Sequence, residues 1–225
     1  MGELVVADVM NRRPVAVRRE AVFKDVVCAL LAADAPAIAV VDADNTPVGT
    51  VESRALLANL EFHGGSDPRP LLSGADARGR WRLSRATTAA ELMSDPPAVA
   101  YADLSIGRAV RQLCQSQQPL LCVVDAGMRL IGVLDSLNLL TVYQRSDSSI
   151  EADIHRLLVD DLARATLPPA TIAVHVDHGV VALEGTLLFR SRTEHAGYTV
   201  AHIPGVVAVH NNLTYEHDDL AITGF

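Results

Sequence analysis

Apolar residues near the start of the chain recur with helical spacing. Phe23, Val26, Val27, Leu30 and Leu31 fall at 0, 3, 4, 7 and 8, one face of a helix. A continuous apolar run from Ala37 to Val41 follows and ends at Asp42. With the turn-rich stretch Asp42-Ala43-Asp44-Asn45-Thr46-Pro47 and the returning run Val48 to Val51, it predicts a buried strand, a turn and an antiparallel partner. Ser53 stands where an N-cap belongs, ahead of a second helix carrying Leu56, Leu57 and Leu60. The whole pattern then returns. Ile106, Ala109, Val110, Leu113 and Cys114 form the helical face, and Leu120 to Val124 and Ile131 to Leu134 form the strands around Asp125-Ala126-Gly127. Ser136 caps a helix with Leu139, Leu140 and Val142.

The return is an internal repeat at a constant offset of 83, residues 7–54 on 90–137, without a gap. Ala7-Asp8-Val9-Met10 falls on Ala90-Glu91-Leu92-Met93, Pro14 on Pro97, and Val48-Gly49 on Ile131-Gly132. A duplication of this size predicts two similar subdomains packed about a pseudo-two-fold axis, with paired clefts between them.

Between the copies, residues 63–86 are rich in glycine, proline and arginine and keep no apolar period, which reads as a linker. A second, short linker at Gln144 to Ser149 precedes a segment of another kind. There Ile150, Ile154, Leu157, Leu158 and Leu162 share a helical face, and Ile172, Val174 and Val176 alternate with Ala173, His175 and Asp177 as a half-buried strand. A turn at Asp177-His178-Gly179 leads into a strand from Val180 to Leu187. A helix from about Ser191 to His202 stops at Pro204-Gly205, and Val206 to Tyr215 is the last strand. The fold class is α+β: two β-α-β-β-α copies and a small α-β-β-α-β domain. The expected boundaries are 1–62 and 87–146 for the copies, 149–217 for the C-terminal domain and 218–225 for a tail.

A formal charge of -8 argues against nucleic acid as a partner, since phosphate repels an acidic surface. No apolar run approaches the ~20 residues that span a bilayer, and no basic region leads into an apolar stretch at the N-terminus, so a cytoplasmic protein is expected. Cys28, Cys114 and Cys122 lie within helix or strand patterns without metal-ligand spacing and read as small buried hydrophobes. No nucleophile–base motif, phosphate loop or metal signature is present, which predicts a protein that is not an enzyme.

The repeated region resembles a tandem pair of CBS domains. The residues that carry the likeness are the Met10 and Met93 openings with Pro14 and Pro97, the helix, the Val-Val-Asp strand ends at Asp42 and Asp125, and Gly49 and Gly132. From Ile150 to about His217 the chain resembles a BON domain, through Val176 to Gly185, the Arg192 to Ala201 helix, and Ile203-Pro204-Gly205-Val206 to Asn211-Asn212-Leu213. The first resemblance implies a non-catalytic sensor that binds adenine nucleotides or related ligands between its copies and forms a homodimer through the pair. The second implies an interaction module for a protein partner or phospholipid. The CBS resemblance implies as ligand-binding positions Val15, Val17, Gly49 and Glu52 in the first copy, and Ala98, Ala100, Gly132, Asp135, Ser136 and Asn138 in the second.

In nucleotide-binding members of the CBS family a hydroxyl follows the glycine by three residues and an aspartate by six. The hydroxyl donates to phosphate and the carboxylate accepts from ribose. Here the first copy has Glu52 and Ala55 at those positions, and the second has Asp135 and Asn138. A carboxylate at about 4 Å from a phosphate oxygen repels it by about 4 kcal/mol at an effective dielectric of about 20. Two readings follow. The clefts take a nucleoside, a cation or a nucleotide bridged by a metal such as Mg2+; or Glu52 and Asp135 cap the following helices, and the pair is a dimerising scaffold with unoccupied clefts, an envelope- or membrane-associated adaptor among its forms.

Arg78, Arg80, Arg82 and Arg85 surround Trp81, either to anchor the linker on the module or to meet an anion at a cleft. Seven of the eight histidines lie in the C-terminal segment, dispersed and expected at the surface. From Ile150 to Phe225, ten acidic residues against four arginines leave a net of -6, which favours a protein partner over an anionic leaflet.

Overall fold

The computed structural model describes residues 4–70, 74–163 and 172–220, with the side chains of 159–163 outside that description. Leu162, expected on an apolar face, is among those side chains. The chain divides into two compact units, Glu3–Leu139 and Leu140–Phe225.

The first copy runs α1 (Val6–Val9), β1 (Ala16–Arg18), α2 (Phe23–Ala33), β2 (Ala37–Val41), β3 (Pro47–Glu52) and α3 (Ser53–Glu61). After α4 (Ala75–Leu83) the second repeats it: α5 (Ala89–Leu92), β4 (Val99–Tyr101), α6 (Ile106–Ser116), β5 (Leu120–Val124), β6 (Leu130–Asp135) and α7 (Ser136–Leu140). In each copy the short first strand pairs parallel to the second, joined by the helix that such a crossover requires, and the third closes an antiparallel hairpin. The backbone repeats too. Left-handed residues stand at Asp34 and Gln117, and again at Asn45 and Met128, pairs separated by the repeat offset.

All of β2 and β5 is buried because each is covered on both faces, which is why neither alternates. Ile38 and Val40 pack under the helices of the first copy, and Leu121 and Val123 under those of the second. Ala37, Ala39 and Val41 face Leu120, Cys122 and Leu130 across the seam where the two sheets meet. Asn45 crosses the seam as well: its backbone O accepts from Leu130 N at 2.9 Å and its Nδ2 donates to Leu130 O at 3.0 Å.

The opening turns are exchanged. Val6 of α1 lies in the second core with Ala100, Ala109 and Leu134, and Ala89 and Leu92 of α5 lie in the first core with Val26 and Val51. Val6 N donates to Leu104 O and Asn11 N to Val133 O, while Ala89 N donates to Ala21 O and Ser94 N to Thr50 O.

The second unit runs α8 (Asp147–Ala163), β7 (Ile172–Asp177), β8 (Val180–Phe189), α9 (Arg190–Ala201) and β9 (Ala208–His217). Its sheet order is β7-β8-β9, antiparallel then parallel. Ile150, Ile154 and Leu158 of α8 join Val176, Val181, Leu183, Ala196 and Val200 in one core. No helix among the described residues is long and apolar enough to cross a membrane.

Several expectations are corrected. Residues 75–83 of the expected linker are helical and dock on α3. The expected short linker Gln144 to Ser149 belongs to the second unit, and part of it is helical. Asp147 starts α8 and its carboxylate accepts from His178 N and Gly179 N at 2.9 and 2.8 Å, while Arg145 donates to Pro204 O and to Asp153. Ser53 and Ser136 are the first helical residues; the cap positions fall one residue earlier, at Glu52 and Asp135. Cys28 and Cys114 are exposed, and only Cys122 is buried: Cys114 lies at the margin of the inward face of α6, and Cys28 lies off that of α2. Leu31, 77% exposed, lies outside that face.

Candidate functional site

The two strand–helix junctions that should meet a ligand are built differently. At β6–α7 the Asn138 backbone N–H donates to Asp135 Oδ1 at 2.8 Å, and the Asp135 N–H donates to Asn138 Oδ1 at 3.1 Å. This reciprocal cap holds both side chains in place and satisfies two backbone donors. Asp135 is buried, and among the described residues no cation forms an ion pair with it. At β3–α3 the cap position is Glu52, but its carboxylate makes no cap bond. Instead Arg54 binds it, Nη2 donating to Oε1 at 3.1 Å with Nε against Oε2. Ala55, at the position of Asn138, has no side chain to return a bond, and Leu137, at the position of Arg54, carries no charge. One junction is therefore an ion pair and the other an unneutralised carboxylate. Arg54 was missed because residues i and i+2 share a side only within a strand, and here Glu52 ends β3 while Arg54 lies in α3; the bend between the two elements brings the side chains together.

The other expected residues fall into the cores. Val15 and Val17 pack on the first core, Ala98 and the buried Ala100 on the second, so their backbone is what they can offer a ligand. At Ala98 both backbone groups are engaged, N–H by Gln118 and C=O by Cys122. Gly49 and Gly132 are bare for a local reason: a β-carbon on Gly49 would lie 2.7 Å from Met93 Sδ, and one on Gly132 would lie 2.8 Å from Met10 Sδ. The exchanged segments press on these glycines. Ser136 is exposed at the head of α7. Beside Gly49, Thr50 is fully buried and its Oγ1 has no hydrogen-bond partner, a polar atom left over in the first copy where the second carries Val133.

The arginine cluster does not point to an anion site. Trp81 Nε1 donates to Asp67 O at 2.9 Å, Arg85 lies over the indole at 5.4 Å, and Arg80 grips Glu61 at 2.8 and 3.1 Å. Arg80 fastens α4 to α3 of the first copy, and the tryptophan ties it to the connecting segment at Asp67.

Residues 6–61 match the CBS domain model, and residues 146–217 match the BON domain model. The paired fold of the first unit is that of the CBS domain pair of protein MJ0100 in complex with 5'-methylthioadenosine and S-adenosyl-L-methionine. That structure superposes with a TM-score of 0.50 at 15% identity, covering 64% of this chain and 98% of that one. The chain is a CBS pair followed by a BON domain. The CBS pair is also similar to CBSX2 in complex with AMP, at 24% identity and TM-score 0.49 over 60% of this chain and 92% of that one. A third similar structure is a putative acetoin utilization protein, AcuB, from Vibrio cholerae, at 20% identity and TM-score 0.47 over 71% of this chain and 97% of that one. No curated protein matches.

In the BON domain the histidines are spread out. His175 and His210 stand on the open face of the sheet either side of Ala182, and His202 Nδ1 lies 2.7 Å from Tyr198 O. No group of three potential metal ligands occurs among the described residues.

Proposed function

We propose that the CBS pair is a regulatory module binding an adenosine-type ligand whose ribose-linked tail is neutral or cationic, and that the BON domain passes the response to a protein partner. The observation that carries this reading is the buried, unneutralised Asp135 at the second junction. A phosphate there would meet a fixed negative charge; a thioether would not, and a sulfonium would be attracted. The MJ0100 pair, bound to a methylthioadenosine and a sulfonium nucleoside, supports the same ligand class. Asp135, Ser136 and Asn138 are the proposed contacts, with the first copy's Glu52 neutralised by Arg54 and less selective. Dimerisation through the pair is part of the proposal, supported by Leu57 and Leu60 on α3 and Leu137 on α7, each more than half exposed.

A second reading, a ligand-free scaffold, is favoured by the way both acids are already engaged, Glu52 by Arg54 and Asp135 by Asn138. Thermal shifts with methylthioadenosine, S-adenosylmethionine, AMP, ADP and ATP, each with and without Mg2+, separate the two. A ligand at 100 times its Kd stabilises by about 2.7 kcal/mol. The expected result is stabilisation by the thioether and the sulfonium, with Asp135→Asn weakening the sulfonium more. Silence from all five supports the scaffold, and tighter binding of metal-free AMP overturns the tail assignment.

A further inference from the structure

Strand β9 (Ala208–His217) is an outer strand of the BON sheet and is paired to β8 alone among the described strands. It is ten residues long, and eight of the ten are exposed. An unpaired edge of this length exposes a row of backbone donors and acceptors, and folded proteins usually blunt such edges with lysine, proline or a bulge. Ala208-Val209-His210-Asn211-Asn212-Leu213-Thr214-Tyr215-Glu216-His217 contains no lysine, arginine or proline. Its register with β8 runs without a shift from Ala208 to Tyr215. Asp218 and Asp219, which follow, are turned away onto Arg190 and Ser191 and so do not guard the edge.

We propose that β9 pairs antiparallel with β9 of a second copy of this chain, about a two-fold axis at Leu213. Val209 and Leu213 pack on the core, so His210, Asn212, Thr214 and Glu216 alternate on the open face. A two-fold axis normal to the sheet keeps both cores on one side and sets open-face residues against open-face residues. With the axis at Leu213, His210 meets Glu216 of the second copy, and Asn212 meets Thr214, each pair occurring twice. An axis one position earlier would set Glu216 against Ala208 and leave its charge without a complement. Acid against imidazole, amide against hydroxyl, and no like charges opposed make the edge complementary to itself; this is the argument for a second copy as the occupant. The result is one six-stranded sheet across two BON domains, an assembly contact separate from any made by the CBS pair.

The test uses the full chain in a Cys28→Ser/Cys114→Ser background. Asn212→Cys with Thr214→Cys should give a covalent dimer on mild oxidation, read on a non-reducing gel. Without the new cysteines, His210→Glu should weaken the association measured by sedimentation equilibrium about tenfold, and adding Glu216→Lys should restore it. Melting curves confirm that each variant is folded. Absence of the cross-link, or association indifferent to His210→Glu, overturns the proposal, as does a charge-swapped pair no better than the single variant. Binding of β9 only to a different protein would give these same negative results.

Discussion

Gly49 lies beneath Met93: a methyl group on it would sit 2.7 Å from the Met93 sulfur and 2.9 Å from the Ser94 carbonyl. The same contact occurs in the second copy, where Gly132 lies beneath Met10 and the Asn11 carbonyl. Each glycine is the floor on which the opening segment of the other copy crosses. A methionine side chain can bend away, but the carbonyls belong to backbone that is already bonded to Thr50 and Val133. Gly49→Ala and Gly132→Ala are therefore each expected to destabilise the CBS pair by about 1–3 kcal/mol in urea unfolding. Gly79→Ala, in α4 with nothing within 4 Å of the added carbon, should instead add about 0.5–1 kcal/mol. Equal effects at Gly79 and Gly49 would contradict the crowding argument.

Thr50 carries a hydroxyl that its counterpart Val133 lacks, and Oγ1 is buried without a partner. Thr50→Val keeps the shape and removes the orphaned group, so a gain of about 1–2 kcal/mol is expected. A neutral Thr50→Val would mean that the hydroxyl is satisfied by water.

The three thiols should differ in reactivity. Burial pushes the Cys122 thiol up to about 12, so it holds almost no thiolate at neutral pH, whereas Cys28 and Cys114 are exposed. Titration with an aromatic disulfide should count two thiols in the native protein and the third only on unfolding. Three fast thiols would show that the seam between the sheets opens readily.

In the BON domain a hydrogen bond from Arg145 holds the Asp153 carboxyl below its ordinary value of 3.8. A depressed acid contributes stability that is present above the ordinary value and lost as pH falls through the lowered one. The acid limb of the melting profile, below about pH 4, should therefore flatten in Arg145→Ala and in Asp153→Asn relative to the unaltered chain. An unchanged limb in both would assign acid unfolding to other carboxylates.

The offset of 83, the helical faces of Val26 and Leu30, and the runs Ala37–Val41 and Leu120–Val124 made both copies and their buried hairpin strands readable in the chain, because burial leaves a period that neighbours in sequence share. The same holds for Ile172, Val174 and Val176 in the BON sheet. The α4 helix was not legible: Trp81 and Leu83 are its apolar anchors amid arginine and glycine, and it is held by docking on α3. The chemistry of the two strand–helix junctions was not legible. Glu52 and Asp135 are equivalent in the repeat, yet one is paired with Arg54 and the other capped by Asn138, and that difference exists only where the strand bends into the helix.

The sequence alone determined that there are two alike halves and a third, different domain, since that information is local periodicity and self-similarity. Only the tertiary structure decided that Val6 completes the second core and Leu92 the first. Two equivalent opening segments have the same pattern whichever core they join, and the choice is made by packing between residues far apart in the chain, Val6 with Leu134 and Leu92 with Val26, for which no local period exists.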